Sequence, residues 1–214
     1  MLFGAKKNYL TVEGSTVTGF DDYKCHDGVV MVPDHVTTIG RGAFSNSSVS
    51  RIILPSGLTR IEPYAFSCVR NLTEILIPSG VRRIEEDTFS GCKELRHVVL
   101  PSAATYIGEC AFQDCYDLTA IVLPSGLREI CASTFLHCES LRSLTIPDGV
   151  EFIRAFAFAH SGLRSLVIPR SVHNIQLDDL FAGCDDLVSL TLPSGFSPVV
   201  HRLGLSSRCR VSYH

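Results

Sequence analysis

The 214-residue sequence contains no tryptophan and only two methionines, and aromatic residues of all kinds make up 8% of it. Charged residues reach only 19% against 45% apolar types, so the chain must hide an apolar surplus efficiently. No run of 18 or more apolar residues occurs, which excludes a membrane-spanning helix by composition. Met1–Phe20 carries neither a continuous apolar segment nor a small-residue cleavage site and does not read as a signal peptide. A basic surplus is missing too: the formal net charge is −3, which removes the electrostatic footprint of a nucleic-acid binder. There is no C-x-x-C, no histidine pair at zinc spacing to cysteines, no G-x-S-x-G, no G-x-G-x-x-G, no P-loop and no H-E-x-x-H. The sequence therefore calls for no cofactor or metal, and an enzyme is not expected.

The nine cysteines are an odd number in a chain large enough to build its own core. Without an export signal, they read as reduced thiols and point to an intracellular compartment.

What is abundant is regularity. Prolines stand at Pro33, Pro55, Pro78, Pro101, Pro124, Pro147, Pro169 and Pro193, separated by 22 to 24 residues. Six residues after each of the first seven comes an isoleucine: Ile39, Ile61, Ile84, Ile107, Ile130, Ile153 and Ile175. Eleven after the first six comes a phenylalanine, from Phe44 through Phe66, Phe89, Phe112 and Phe135 to Phe158, and Phe181 lags by one residue. One unit reads LTEILIPSGVRRIEEDTFSGCKE, Leu72–Glu94. Self-similarity at this period is the signature of a solenoid.

Within one unit the alternation at Ile75, Leu76 and Ile77 predicts a short strand, which Pro78 ends because proline cannot donate a ladder hydrogen bond. Val81 and Ile84 predict a second brief strand. Phe89 and Cys92, three apart, predict a turn of irregular or 3₁₀ helix. A single unit buries too little to offset the entropy of ordering it, so units must stack, with strands of successive coils pairing in parallel. The expected fold is a mostly β repeat solenoid of about eight coils. Residues 28–198 form the array, 1–27 an N-terminal cap built as a β-hairpin around Glu13-Gly14-Ser15, and 199–214 a C-terminal cap.

The joint placement of Pro, Ile, Phe and Cys over Gly28 to Pro198 resembles the BspA-like class of leucine-rich repeats of anaerobic bacteria, spirochaetes and some protists. The resemblance implies a right-handed leucine-rich-repeat coil used for protein–protein contact. In several members it implies a surface adhesin that binds host matrix proteins, so a cell-surface location stands as the alternative to the intracellular one.

Two outward surfaces are candidates for contact. The residues two before each proline, Met31, Ile53, Leu76, Val99, Val122, Thr145, Val167 and Thr191, form a mostly apolar row that could meet a partner or a second copy of the chain. The outward positions of the second strand concentrate arginine and aromatics, and Arg60, Arg83, Tyr106, Arg128 and Phe152 are the expected partner-binding residues. Cross-coil ion pairs such as Arg83 with Glu129 or Glu62 are the bland alternative there. Cys92, Cys115, Cys138 and Cys184 each follow the repeat phenylalanine by three and read as buried space-fillers. Cys110 and Cys131 fall off that register and read as surface thiols, incidental or paired. The leading function is a non-enzymatic module binding a protein partner, with a homodimer through the apolar row as the alternative.

Overall fold

The computed structural model describes residues 9–214; the part of the N-terminal cap expectation that falls on 1–8 lies outside them. The chain winds through about nine coils, each carrying up to two short strands, and equivalent strands stack in parallel. The three-residue strands Val29–Met31, Arg51–Ile53, Glu74–Leu76 and His97–Val99 form a long-strand ladder. It continues through Ala120–Ile121, an isolated bridge at Ser143, Ser165–Val167, Ser189–Leu192 and Arg210–Tyr213. The short-strand ladder takes the dipeptides ending in the repeat isoleucines, from Thr38–Ile39 to Asn174–Ile175. Register is strict: Ile75 pairs with Val98, and Ile107 with Ile84. In a three-residue strand this places the middle side chain in the core and the outer two in solvent, an exposed–buried–exposed pattern at 51–53, 74–76, 97–99 and 165–167.

The third side of each coil is an arc of consecutive turns rather than a 3₁₀ segment. Two residues per arc, two before and two after the repeat phenylalanine, adopt positive φ: Asp87 (52°) and Gly91 (74°) around Phe89, Cys110 (54°) and Asp114 (56°) around Phe112. These reversals let alternate N–H groups point along the solenoid axis. Asp87 donates to Glu109, Phe89 to Ala111 and Gly91 to Gln113 of the following coil, at 2.8–2.9 Å. The arc is thus a third hydrogen-bond ladder, made without strands. Cys68 and Cys110 occupy such positions despite the cost to a residue with a Cβ, because the surrounding coils over-determine the turn.

Inside, the seven repeat phenylalanines are all at most 1% exposed. Their rings stack in a continuous column, with neighbouring centroids 5.4 to 6.2 Å apart. Phe20, outside the repeat, extends the column at 5.3 Å from Phe44. The thiols of Cys92, Cys115, Cys138 and Cys184 are buried and donate to the carbonyls of Phe66, Phe89, Phe112 and Phe158 at 2.9–3.2 Å. Buried Thr88 and Thr134 satisfy themselves on Glu85 and Cys131 carbonyls.

Length irregularities are absorbed on the arc. In the coil of Phe158 one residue is missing before Leu163, and the chain cuts the corner at buried Gly162, where any Cβ would run into the Glu139 carbonyl oxygen. The extra residue before Phe181 falls in Gln176–Leu180, and Phe181 still stacks on Phe158.

At the ends, Leu10–Glu13 and Thr16–Phe20 form an antiparallel hairpin whose second strand pairs with Thr38–Ile39. The Tyr9 hydroxyl reaches Val29 O (3.4 Å) and Met31 N (3.5 Å), covering the outer edge of the first long strand. At the other end a 3₁₀ helix, Ser194–Arg202, replaces the short strand, and Arg210–Tyr213 adds a ninth rung.

Candidate functional site

The arc carries its own outer side chains, such as Arg41 over Tyr64 and the stacked rings of His137 and His160, but the expected contact residues lie on the two strand faces, and these differ. On the short-strand face the five expected binding residues share one surface, but each leans on a neighbour in its own chain. Arg60 pairs with Glu62 at 3.2 Å. Arg83 pairs with Glu85 at 2.8 Å, two residues on and just past the end of its strand, rather than with Glu129 or Glu62 of other coils. Positions two apart in extended chain project to the same side, which brings the Glu85 carboxylate to the guanidinium. The Arg83 guanidinium also lies 3.9 Å from the centroid of the Tyr106 ring. Arg128 donates to Gly149 O at 3.1 Å. Phe152 is half-buried, with His173 edge-on at 5.2 Å and Arg154 over its ring, while Arg154 in turn binds Glu129.

Of the off-register thiols, Cys131 lies where this face turns into the arc and Cys110 within the arc, and the expectation of a surface group is corrected for Cys131. Cys131 is only 5% exposed, covered by Tyr106, and Cys110 is half-buried. Burial, with Glu129 adding to it, pushes the Cys131 thiol up to about 11. Burial likewise raises Cys110 to about 11, and Tyr106 to about 12 with Cys131 beside it. Thiols held this far toward the protonated form are poor nucleophiles near neutrality. Among the described residues, no cluster of three or more His, Cys, Asp or Glu could hold a metal ion.

The long-strand face is the opposite case. Met31, Ile53, Leu76, Val99, Val122 and Val167 all stand exposed, Leu76 at 64% and Val122 at 84%. Beside this row runs a second one, polar at Arg51, Glu74 and His97 and small at Ala120, Ser143 and Ser165. Between the rows lies a groove of about 370 Å³, lined by Arg51, Ile53, Glu74, Leu76, His97 and Val99 and floored by Ile52 and Ile75. The apolar lane is continuous over the first five coils and gives way to Thr145 and Thr191 in the later ones.

The repeat, its register and the phenylalanine column together match one family profile. The BspA-type leucine-rich repeat region aligns in six copies over residues 23–125 and 105–202. The chain belongs to the BspA-type leucine-rich repeat family. It is similar to the leucine-rich repeat protein of T. pallidum at 25% identity and a TM-score of 0.62, covering 91% of this chain and 90% of that one. A leucine-rich repeat protein from Bacteroides ovatus is similar at 23% identity and TM-score 0.53, over 98% of this chain and 65% of that one. One from Eubacterium ventriosum gives 24% and 0.58, over 69% and 46%. The chain thus spans about two thirds of the Bacteroides structure and under half of the Eubacterium one. No protein of curated function matches the sequence. Membership makes this BspA-type array a repeat scaffold of the kind suited to protein interaction. No helix among the described residues is long and apolar enough to cross a membrane.

Sequence reasoning found the apolar row and the short-strand set, but not the row of Arg51, Glu74 and His97 beside the lane. It missed the Tyr9 edge cover and the Phe20 extension, which lie outside the repeat register, and the self-pairing of the short-strand arginines.

Proposed function

We propose that this BspA-type solenoid is a non-enzymatic protein-interaction module whose principal contact surface is the long-strand face. The observation that carries the reading is the exposed lane Met31–Ile53–Leu76–Val99–Val122 beside the Arg51–Glu74–His97 row. An apolar lane rimmed by charge on rigid strands is the anatomy of a contact surface, and nothing in the packing of the solenoid requires it. Raised thiol pKa values and the absence of catalytic motifs fit a scaffold.

The short-strand set Arg60, Arg83, Tyr106, Arg128 and Phe152 offers a second surface, favoured by its arginine–aromatic composition. Its side chains would have to exchange existing partners for new ones. Capture of a protein partner from the native source, repeated with purified components, separates the two faces. Leu76→Asp/Val99→Asp is expected to lose the partner while Arg83→Ala/Tyr106→Ala/Phe152→Ala keeps it. The reverse pattern would move the contact to the short-strand face.

A further inference from the structure

The long-strand face carries a pattern that fits a second copy of itself, and we infer that two chains pair through this face about a two-fold axis lying between the coils of Arg51 and Glu74. This inference rests on the reading of that face as a contact surface and names its partner.

Two sheets packed face to face can be related by a two-fold axis along the strands or along the solenoid. An axis along the strands reverses the coil order and keeps each row opposite its own copy. Placed between the coils of Arg51 and Glu74, it sets Arg51 against Glu74 of the second copy, and Glu74 against Arg51. In the neighbouring lane it sets Ile53 against Leu76 and Met31 against Val99. Arg51 and Glu74 then each meet their opposite, the apolar lane from Met31 to Val99 meets itself, and His97 falls against Val29, so the charged pair and the lane together supply the self-complementarity an isologous interface demands. An axis along the solenoid would instead lay the charged row on the apolar row and strand both charges.

Two further observations support the pairing. Among the described residues Arg51 and Glu74 enter no ion pair, although both are exposed, while Arg60, Arg83 and Arg154 on the other face are all paired internally. A groove runs over the same coils, with Ile53, Leu76 and Val99 on one rim and Arg51, Glu74 and His97 on the other; the hollows farther along the face, at 120–145 and 143–167, are larger but are rimmed by Ser and Thr in place of the charged pair. Four coils offer an apolar lane of a few hundred Å², at the small end of specific interfaces, so the dimer is a reversible one in the micromolar range.

The test is sedimentation equilibrium of the full chain from about 1 µM to about 200 µM, a range that brackets such an affinity. The wild type is expected to rise from the monomer to twice its mass. Leu76→Asp should hold it at monomer mass. Arg51→Glu alone and Glu74→Arg alone, each placing like charges across the axis twice, should each weaken association at least tenfold, and the double exchange Arg51→Glu/Glu74→Arg should restore it. Circular dichroism melts confirm that each variant folds; the two charge exchanges sit in solvent and leave the core untouched. A wild type that stays monomeric at about 200 µM overturns the dimer. A dimer indifferent to the single exchanges, or not restored by the double one, overturns this axis. A monomeric chain that still loses a foreign protein partner on Leu76→Asp defeats the homodimer but leaves the contact surface standing, whereas a Leu76→Asp variant unchanged in both respects defeats both.

Discussion

The two strand faces are built on the same backbone, separated by one proline turn, and yet they present opposite chemistry. The short-strand face has answered most of its charges, Arg60 with Glu62, Arg83 with Glu85 and Tyr106, Arg154 with Glu129, while Arg82 stands exposed beside them. The long-strand face leaves an apolar lane in solvent and, in the row beside it, Arg51, Glu74 and Arg210 outside any ion pair. The difference follows from strand length. A dipeptide strand exposes one side chain and then bends into the arc, where carboxylates at 62, 85 and 86 fold back within reach. A tripeptide strand exposes two in line, and Arg51 and Glu74 at its first position form no ion pair. Rich composition alone therefore does not mark a contact surface; composition left without internal partners does.

The largest expected effect breaks both faces together. Phe112→Ala removes a ring from the middle of the column and should cost about 3–5 kcal/mol, read as a fall in the denaturant midpoint. If the coils on either side of Phe112 melt separately, the array is not one cooperative unit along its axis, although each half still holds its two faces together. Next in size is the contrast in binding. Leu76→Asp/Val99→Asp should weaken partner capture more than about tenfold with an unchanged melt, since both side chains touch mainly solvent. The mirror experiment is smaller: Arg83→Ala should lower stability by about 0.5–1 kcal/mol through the lost stacking on Tyr106, with capture intact.

The finest distinction is in alkaline pH. Folded Tyr106 and Cys131 hold their protons to about 12 and about 11, whereas the unfolded chain releases them near 10 and 9. The unfolded state then binds fewer protons, so stability is complete below pH 9 and declines as pH rises toward 11. Tyr106→Phe with Cys131→Ala should flatten that decline, and changes at Leu76 or Val99 should not. A slope indifferent to the double variant would assign it to the buried cysteine ladder, where Cys92 is pushed up to about 12.

Much of this was legible in the sequence. The spacing of Pro, Ile and Phe located the coils, the strands and the exposed apolar row, because proline ends a strand, the alternating apolar residues set which side faces in, and the repeat phenylalanine fills the same buried layer in every coil. What lay hidden depended on contacts without a period. Tyr9 closes an edge from outside the array, and Phe20 joins the ring column from a hairpin that shares none of the repeat's spacing. Cys131 follows an inward isoleucine and so counted as outward, but the chain turns into the arc there and Tyr106 lies over it. Arg83 had several acidic residues at plausible distance, and only the direction of its side chain chose Glu85. Of the contact surface itself, the sequence disclosed the lane but not the groove or the lack of internal partners for Arg51 and Glu74.

The hydrogen bonds of the three ladders all run along the long axis, each joining one winding only to the next, and among the described residues no covalent strut but the chain itself runs beside them. Tension applied at the two ends would load one set of rungs at a time, so the rod would peel open winding by winding instead of rupturing at once. Each freed winding of about 23 residues would lengthen the tether by roughly 75 Å, giving a compact rod the extensibility of a shock absorber.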